Sequence, residues 1–274
     1  CNIICIYKVI NMAEENAKIE WNAKQYSKFV KDRTLPSIDL AKAIDLPGAK
    51  AALDIGCGIG NSTAVLAKAF PGARVIGADN SADMLDSAKK NHPDLEFIKL
   101  DAQNEIENID KRFDIVFSNA CIQWIPNHHK LLKDMFSLLN PGGVLAVQIP
   151  QQGKHPVHAI MRSLAETEKW REKIKTKRIF YILSEEEYFD ELARLTDDFR
   201  MWEVVYFHAM PSHESIVEWY KGTGLRPYLS QLNKADQAEF LKDFSVLVKE
   251  EYPVRENGEI IFRFPRLFFT AKKK

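Results

Sequence analysis

The sequence predicts an α/β fold built on a doubly wound parallel sheet, and three observations carry that expectation. Short apolar runs alternate with helix-patterned runs up to about residue 150. The first apolar run, Ala51 to Ile55, passes through Gly56, Gly58 and Gly60 into a helix start; this is the order of a strand, a tight turn and a helix N-terminus. A chain of 274 residues with 46% hydrophobic content is long enough for one such core and a moderate addition. Right-handed crossovers then place helices on both faces of the sheet.

Composition narrows the partners. The formal net charge is +0, so global charge gives no reason to expect nucleic acid or a membrane surface. Cys1, Cys5, Cys57 and Cys121 form no C-x-x-C pair and no histidine-spaced set, which argues against a metal and for reduced thiols in a cytoplasmic protein. The first ten residues are apolar but too short to span a bilayer, and they lack the basic start of a secretory signal. Met12-Ala-Glu-Glu-Asn16 has the form of an ordinary start. Residues 1–11 are therefore expected to be translated upstream sequence, and residues 1–20 an N-terminal extension without fixed structure. The intact mass of the natural protein would decide the first point.

Taken in order, Trp21 to Val30 has apolar residues at helical spacing, with Tyr26 and Phe29 on one face; this helix either packs on the core or forms a lid. Leu35 to Ile44 is a second helix, with Pro36 in its first turn. Asn61 and Ser62 are N-cap types for the helix that follows the glycine loop. Arg74 to Ala78 is the second strand, and Ser81 caps the helix to Lys90. Leu95 to Leu100 and Phe113 to Ser118 are the third and fourth strands. A helix from about Asn127 ends in the turn Asn140-Pro141-Gly142-Gly143, and Val144 to Ile149 is the fifth strand. Helix signals then dominate: Val157 to Trp170, Ser184 to Leu195 with a capping box on Glu187, Ser212 to Tyr220 and Lys234 to Glu250. Met201 to His208 and Ile260 to Thr270 read as two further strands pairing antiparallel at the sheet edge, with Pro265 marking a bulge or edge.

The chemistry lies first in the glycine turn. It reads G-x-G-x-G, not the dinucleotide spacing G-x-G-x-x-G, which argues against a nicotinamide oxidoreductase. Asp54 precedes the turn by two residues. Asp79 ends the next strand nineteen positions after Gly60, close to the ~20 that place a carboxylate on a ribose diol. This set resembles the binding site of the class I S-adenosylmethionine-dependent methyltransferases. Asp54, Gly56, Gly58, Gly60 and Asp79 are thus cofactor candidates. Met84 either packs in the core or touches an adenine; Asp101 and Ala102 either receive its exocyclic amine or cap a turn. Asn119, Gln123 and Trp124 line the site by position, since ligands sit outside the carboxyl ends of strands.

A narrower resemblance runs from about Trp21 to the C-terminus. Trp21-Asn22 with Tyr26, Asn119-Ala120 with Gln123-Trp124, Leu139-Asn-Pro-Gly142 with Leu145-Ala-Val-Gln148, Met210-Pro-Ser-His213, Thr223-Gly-Leu-Arg-Pro227, Glu256-Asn-Gly258 and Phe264-Pro-Arg-Leu-Phe268 are similar to the trans-aconitate methyltransferase family. The resemblance implies a seven-strand Rossmann-like methyltransferase sheet with a helical cap inserted before the last strand. The core would comprise residues 21–210 and 255–274, the cap 211–254. It further implies transfer of the methyl group of S-adenosyl-L-methionine to a carboxylate of trans-aconitate, leaving S-adenosyl-L-homocysteine, in a monomer. A carboxylate with a reference pKa near ~4 is already ionised at neutral pH, so no catalytic base is expected. A tricarboxylate needs cations instead. Arg226 and Arg266 stand in the two family-specific elements, with Arg263 nearby; each either binds substrate or makes an ion pair. Arg263 and Arg266 differ in strand parity and so face different ways. Tyr26 and Trp124 are held for both cofactor and substrate, and His158 for substrate. Two other functions stay open: an ester-forming enzyme acting on another small acid or on malonyl-carrier protein, docked through the lysines of 169–178, and an S-adenosylmethionine-binding protein without turnover.

Overall fold

A computed structural model describes residues 30–175 and 180–274. The expectations for residues 1–29, including the helix that carries Tyr26, lie outside the described residues. The sheet has seven strands in the order β3-β2-β1-β4-β5-β7-β6. They are β1 Ala51–Ile55, β2 Arg74–Asp79, β3 Glu96–Lys99, β4 Phe113–Asn119, β5 Leu139–Pro150, β6 Phe199–Met210 and β7 Ile260–Lys272. β1 to β5 pair in parallel. β7 runs antiparallel to both β5 and β6.

The helices follow the alternation of buried strand residues. α1 (Val30–Lys42), α2 (Asn61–Ala69) and α3 (Ala82–Asn91) cover one face, where Leu40, Leu66 and Leu85 meet residues such as Ala52, Phe117 and Phe97. α4 (His128–Ser137) and α6 (Glu185–Leu195) cover the other, where Leu132, Met135 and Tyr188 pack on Leu53, Val116 and Phe269. α5 (Pro156–Glu166), α7 (His213–Lys221), α8 (Arg226–Leu229) and α9 (Lys234–Glu251) close around a further apolar cluster with Ile260, Phe262 and Phe264. That cluster also takes in Val157, Met161, Trp170 and Ile174. The helical layer therefore begins before β6 and is not confined to 211–254.

Expected caps recur as observed hydrogen bonds at Ser81, Ser184 with Glu187, and Ser212. Elsewhere the structure corrects the sequence. α1 starts by Val30, so Pro36 lies inside it. The Ser37 hydroxyl donates to the Thr34 carbonyl at 2.8 Å within this stretch. α2 has Gly60 at its N-cap and no side-chain cap, because the hydroxyls of Ser62 and Thr63 turn inward to Asp54. α5 stops at Glu166, and Trp170 enters the helical layer with its Nε1 donating to Asp243 at 3.0 Å. Asn140 to Gly143 do not separate helix from strand but sit within β5, as an irregularity in its register with β4.

Pro265 causes no bulge: β6 and β7 stay in unbroken register from Phe199↔Ala271 to Met210↔Ile260. Of these two strands β6 is at the edge, and β7 lies between β6 and β5. The Pro265 carbonyl accepts from Gln151 N at 3.0 Å. Its nitrogen faces the same side, just where the β5 ladder ends at Pro150↔Arg266, so no ladder donor is missing.

Gly77 in β2 tests the closeness of this packing. A Cβ there would lie 2.7 Å from both Phe97 Cδ1 and Thr63 Oγ1. Gly77→Ala is expected to destabilise the chain by about 1–3 kcal/mol in urea unfolding. Gly72→Ala, with open space around it, should stay within about 0.5 kcal/mol of the parent; equal effects would contradict the packing described.

Candidate active site at the carboxyl ends of the strands

Strand ends and the helical layer enclose a cavity of about 260 Å³. Its floor is the loop after β1. The N–H groups of Gly56 and Cys57 both donate to the Ala78 carbonyl, at 2.7 and 3.0 Å. Gly56 has φ 77°, and a Cβ on it would fall 2.1 Å from Cys121 Sγ. Gly58 has φ 54° and open space where a side chain would project, and its N–H donates to Asp79 Oδ2 at 2.9 Å. Asp79 Oδ1 accepts from Ser81 N at 2.9 Å. Burial raises the Asp79 pKa, and these backbone donors oppose the rise. Gly56, Gly58 and Asp79 all line the cavity.

Asp54 and Gly60 do not line it. Asp54 is fully buried beneath the loop and accepts from Ser62 Oγ at 2.6 Å and Thr63 Oγ1 at 2.7 Å. Its Oδ1 has no hydrogen-bond partner, and burial pushes its pKa up to about 6. At Gly60 a Cβ would lie 2.7 Å from His92 Cδ2 and 2.9 Å from Phe97 Cζ. Both residues shape the loop from behind.

Met84, Leu100, Asp101 and Ala102 form one wall. Asp101 lines the cavity and ties its own turn, accepting from Gln103 N and Asn104 Nδ2. The facing wall is Asn119, Ala120, Cys121, Gln123 and Trp124. The Gln123 amide donates to the Ala120 carbonyl at 2.7 Å, which leaves Gln123 Oε1 without a partner, as is Asn119 Oδ1. Burial pushes the Cys57 and Cys121 thiols far up, so both stay protonated at neutral pH and neither is a thiolate nucleophile. Two unpartnered carbonyl oxygens, two carboxylates and an apolar wall suit a ligand with amine or hydroxyl donors and a flat ring. An adenosyl group with a cationic amino-acid tail fits this set.

The cavity continues under the helical layer along Pro150, Gln152, His158, Trp219, Tyr220, Thr223, Phe264 and Arg266. Arg266 is 5% exposed, and its guanidinium carbon lies 4.1 Å from the Phe264 ring centre. Beside it His155 is buried, and burial together with Arg266 pulls its pKa down to about 3, so the imidazole is neutral. His158 packs edge-on to Phe180 and Tyr220. Among the described residues Arg266 is the one cation lining the cavity. Arg226 opens α8 and is not among the residues that line the cavity. Arg263 lies exposed on the outer face, 5.4 Å from the Phe207 ring centre, as strand parity requires. His213 is tied to the Tyr252 carbonyl at 2.7 Å. Tyr26 lies outside the described residues.

Sequence reasoning passed over Gln152, Trp219, Tyr220 and Thr223. Gln152 follows the carboxyl end of β5, so the positional rule applied to Asn119–Trp124 would have found it. Trp219 and Tyr220 carry no such signal; only packing shows which face of α7 meets the cavity.

Comparison with known proteins agrees with this geometry. A family model described as a methyltransferase domain matches residues 52–143. Trans-aconitate 2-methyltransferase of Escherichia coli O139:H28 is 37% identical over 254 residues, covering 93% of this chain and 98% of that protein. The enzyme of the same name from Shigella flexneri serotype 5b gives the same identity and coverage. Among solved structures, the YcgJ protein of Bacillus subtilis superposes with a TM-score of 0.56 at 15% identity, covering 88% of this chain and 99% of that one. Phosphoethanolamine N-methyltransferase 2 of Haemonchus contortus gives 0.53 at 20% identity over 89% of this chain, which spans 53% of that longer one. These two likenesses concern the fold alone. No described helix is long and apolar enough to cross a membrane.

The raised Asp54 pKa has a stability consequence. Between its ordinary value of 3.8 and about 6, the folded chain keeps a proton that the unfolded chain has released. Stability from this group is therefore full below the lower value and lost as pH rises through the window. A shift of this size is worth on the order of 3 kcal/mol. Asp54→Asn keeps the acceptor for Ser62 and Thr63 and should abolish the loss. Urea unfolding of the ligand-free protein from pH 4 to pH 7 should show the variant gaining on the parent by about 2–3 kcal/mol; a constant difference across that range would refute the assignment.

Proposed function

The chain belongs to the trans-aconitate 2-methyltransferase family, and on that premise we propose that it is an S-adenosylmethionine-dependent carboxyl O-methyltransferase that forms the monomethyl ester of trans-aconitate. One observation carries the acceptor assignment. A single cavity joins the glycine loop and Asp79 to a buried guanidinium, Arg266, at its other end. S-adenosylmethionine supplies a methyl group on a sulfonium, a strong enough electrophile for an ionised carboxylate. Gly56 and Gly58 would admit its backbone-hugging portion, Asp79 its ribose hydroxyls, Met84 and Ala102 its adenine. Asn119 and Gln123 would accept from its amine.

The protein's own task is orientation and exclusion of water. Arg266 is aimed at a carboxylate that does not react, because tight pairing would blunt the nucleophilicity of the attacking one. Phe264, Trp219, Tyr220 and Trp124 keep that end dry, which strengthens the charge pairing. The neutral His155 leaves Arg266 as the positive charge the acid meets. We read the helices between β6 and β7, joined by residues 156–174, as the cap that closes over the acceptor. We also infer a cytoplasmic monomer that needs no nucleic acid.

Of the lysines offered as a basic docking patch, Lys169 pairs with Glu239 and Asp243, Lys173 with Asp236 and Lys175 with Glu172, which offsets their positive charge and weighs against a carrier-protein acceptor; Lys177 lies outside the described residues. Methyl-transfer assays with trans-aconitate, cis-aconitate and malonyl-carrier protein separate the acceptors, and turnover of any of them excludes a merely binding protein. Trans-aconitate is expected to be the preferred acceptor; no turnover of it would overturn the proposal. Arg266→Met should lower kcat/KM for trans-aconitate by about 10- to 100-fold, the worth of a charge-assisted pair. Calorimetry with S-adenosylhomocysteine should show its affinity changed less than about threefold, which also reports that the variant is folded.

A further inference from the structure

The acceptor end of the cavity offers one guanidinium among the described residues, while the proposed acceptor carries three carboxylates. Gln152 is placed to supply a further contact. It sits two residues beyond Pro150, the partner of Arg266 in the β5–β7 ladder. The next residue, Gln151, donates its backbone N–H to the Pro265 carbonyl at 3.0 Å. The turn is then closed by Lys154 N to Gln151 O and by His155 N to Gln152 O, both at 3.2 Å. The backbone thus carries Gln152 and Arg266 on adjoining, mutually bonded segments, and both line the same cavity.

The two neighbouring glutamines are used differently. Gln151 does not line the cavity, and its Nε2 donates to Glu185 Oε1 at 2.9 Å. Gln152 does line it, is 7% exposed, and its Oε1 has no hydrogen-bond partner. A polar atom buried without a partner costs about 1–3 kcal/mol, and in native proteins such groups are met by a ligand or water. The same terminal amide carries two N–H donors beside that oxygen, and a half-turn exchanges the two ends.

We propose that Gln152 is a substrate-binding residue whose amide donates to a carboxylate of the acceptor acid, alongside Arg266. This rests on the reading of the acceptor as a polycarboxylate. A neutral amide is suited to the task, because it adds a directed donor without a second buried charge to desolvate beside Arg266.

The test compares Gln152→Glu and Gln152→Leu with the parent in methyl transfer to trans-aconitate, alongside S-adenosylhomocysteine calorimetry. Glutamate keeps the shape and adds a negative charge, so KM for trans-aconitate should rise about 100-fold or more; leucine removes the donor, and KM should rise about tenfold. S-adenosylhomocysteine affinity should stay within about threefold in both. A purely structural role predicts that both variants lose stability and S-adenosylhomocysteine binding together with turnover. Unchanged KM in both variants, leucine worse than glutamate, or equal loss of S-adenosylhomocysteine binding would each overturn the proposal for Gln152. Absence of trans-aconitate turnover by the parent would instead remove the functional reading on which it rests.

Discussion

Three backbone N–H groups at the end of β1 are all spent on β2. Gly56 and Cys57 share the Ala78 carbonyl, and Gly58 takes the Asp79 carboxylate. This seam folds the chain back sharply enough to start α2 directly above the sheet. It holds the Asp79 carboxylate at the rim of the cavity and leaves Asp54 underneath, where only the hydroxyls of Ser62 and Thr63 reach it. Those hydroxyls are then not available to cap α2, and Gly60 takes the N-cap in a left-handed conformation that glycine alone adopts without strain. A side chain at Gly56 would collide with Cys121, so the same seam also sets how near β4's exit can come.

The acceptor end obeys a different constraint. An arginine only 5% exposed is costly unless something compensates its charge. Here the aromatic face of Phe264 does part of this, and the imidazole of His155 stays uncharged beside it. The site is thus electrostatically divided. Acidic and carbonyl oxygen faces one half, suited to a cation, and a buried cation faces the other, suited to an anion. The reacting groups carry opposite charges, and the cavity sorts them before they meet.

The two halves were not equally legible in the sequence. The loop, Asp79, Met84, Asp101 and the Asn119–Trp124 stretch follow successive strand ends, so local pattern and the strand-end rule suffice to assemble them. The opposite half combines Gln152, His158, Tyr220 and Arg266 from segments far apart in the chain. Their meeting depends on how α5 and α7 pack, and helical periodicity alone does not say which face turns inward. Strand parity did separate Arg263 from Arg266, because alternation in a paired strand is strict. Arg226 carried no comparable signal, since α8 has only four residues and presents no periodicity to read. At Asn61–Ser62 and at Pro265 a local preference is overridden by pairing with another element.

The position of β7 has a consequence for the order in which the molecule can form. It pairs with β5 across more than a hundred residues of intervening chain and lies inside the sheet, not at its margin. Synthesis runs from the N-terminus, so the loop, Asp79 and the strands to β5 emerge well before Ile260. Through that interval β5 is an open edge, with Leu145, Val147 and Ile149 on a strand whose ladder is half made, a state prone to wrong pairing. The strand that relieves it also brings Arg266. The cofactor half can thus exist in the nascent chain, but the anion half is completed in the same event that seals the sheet.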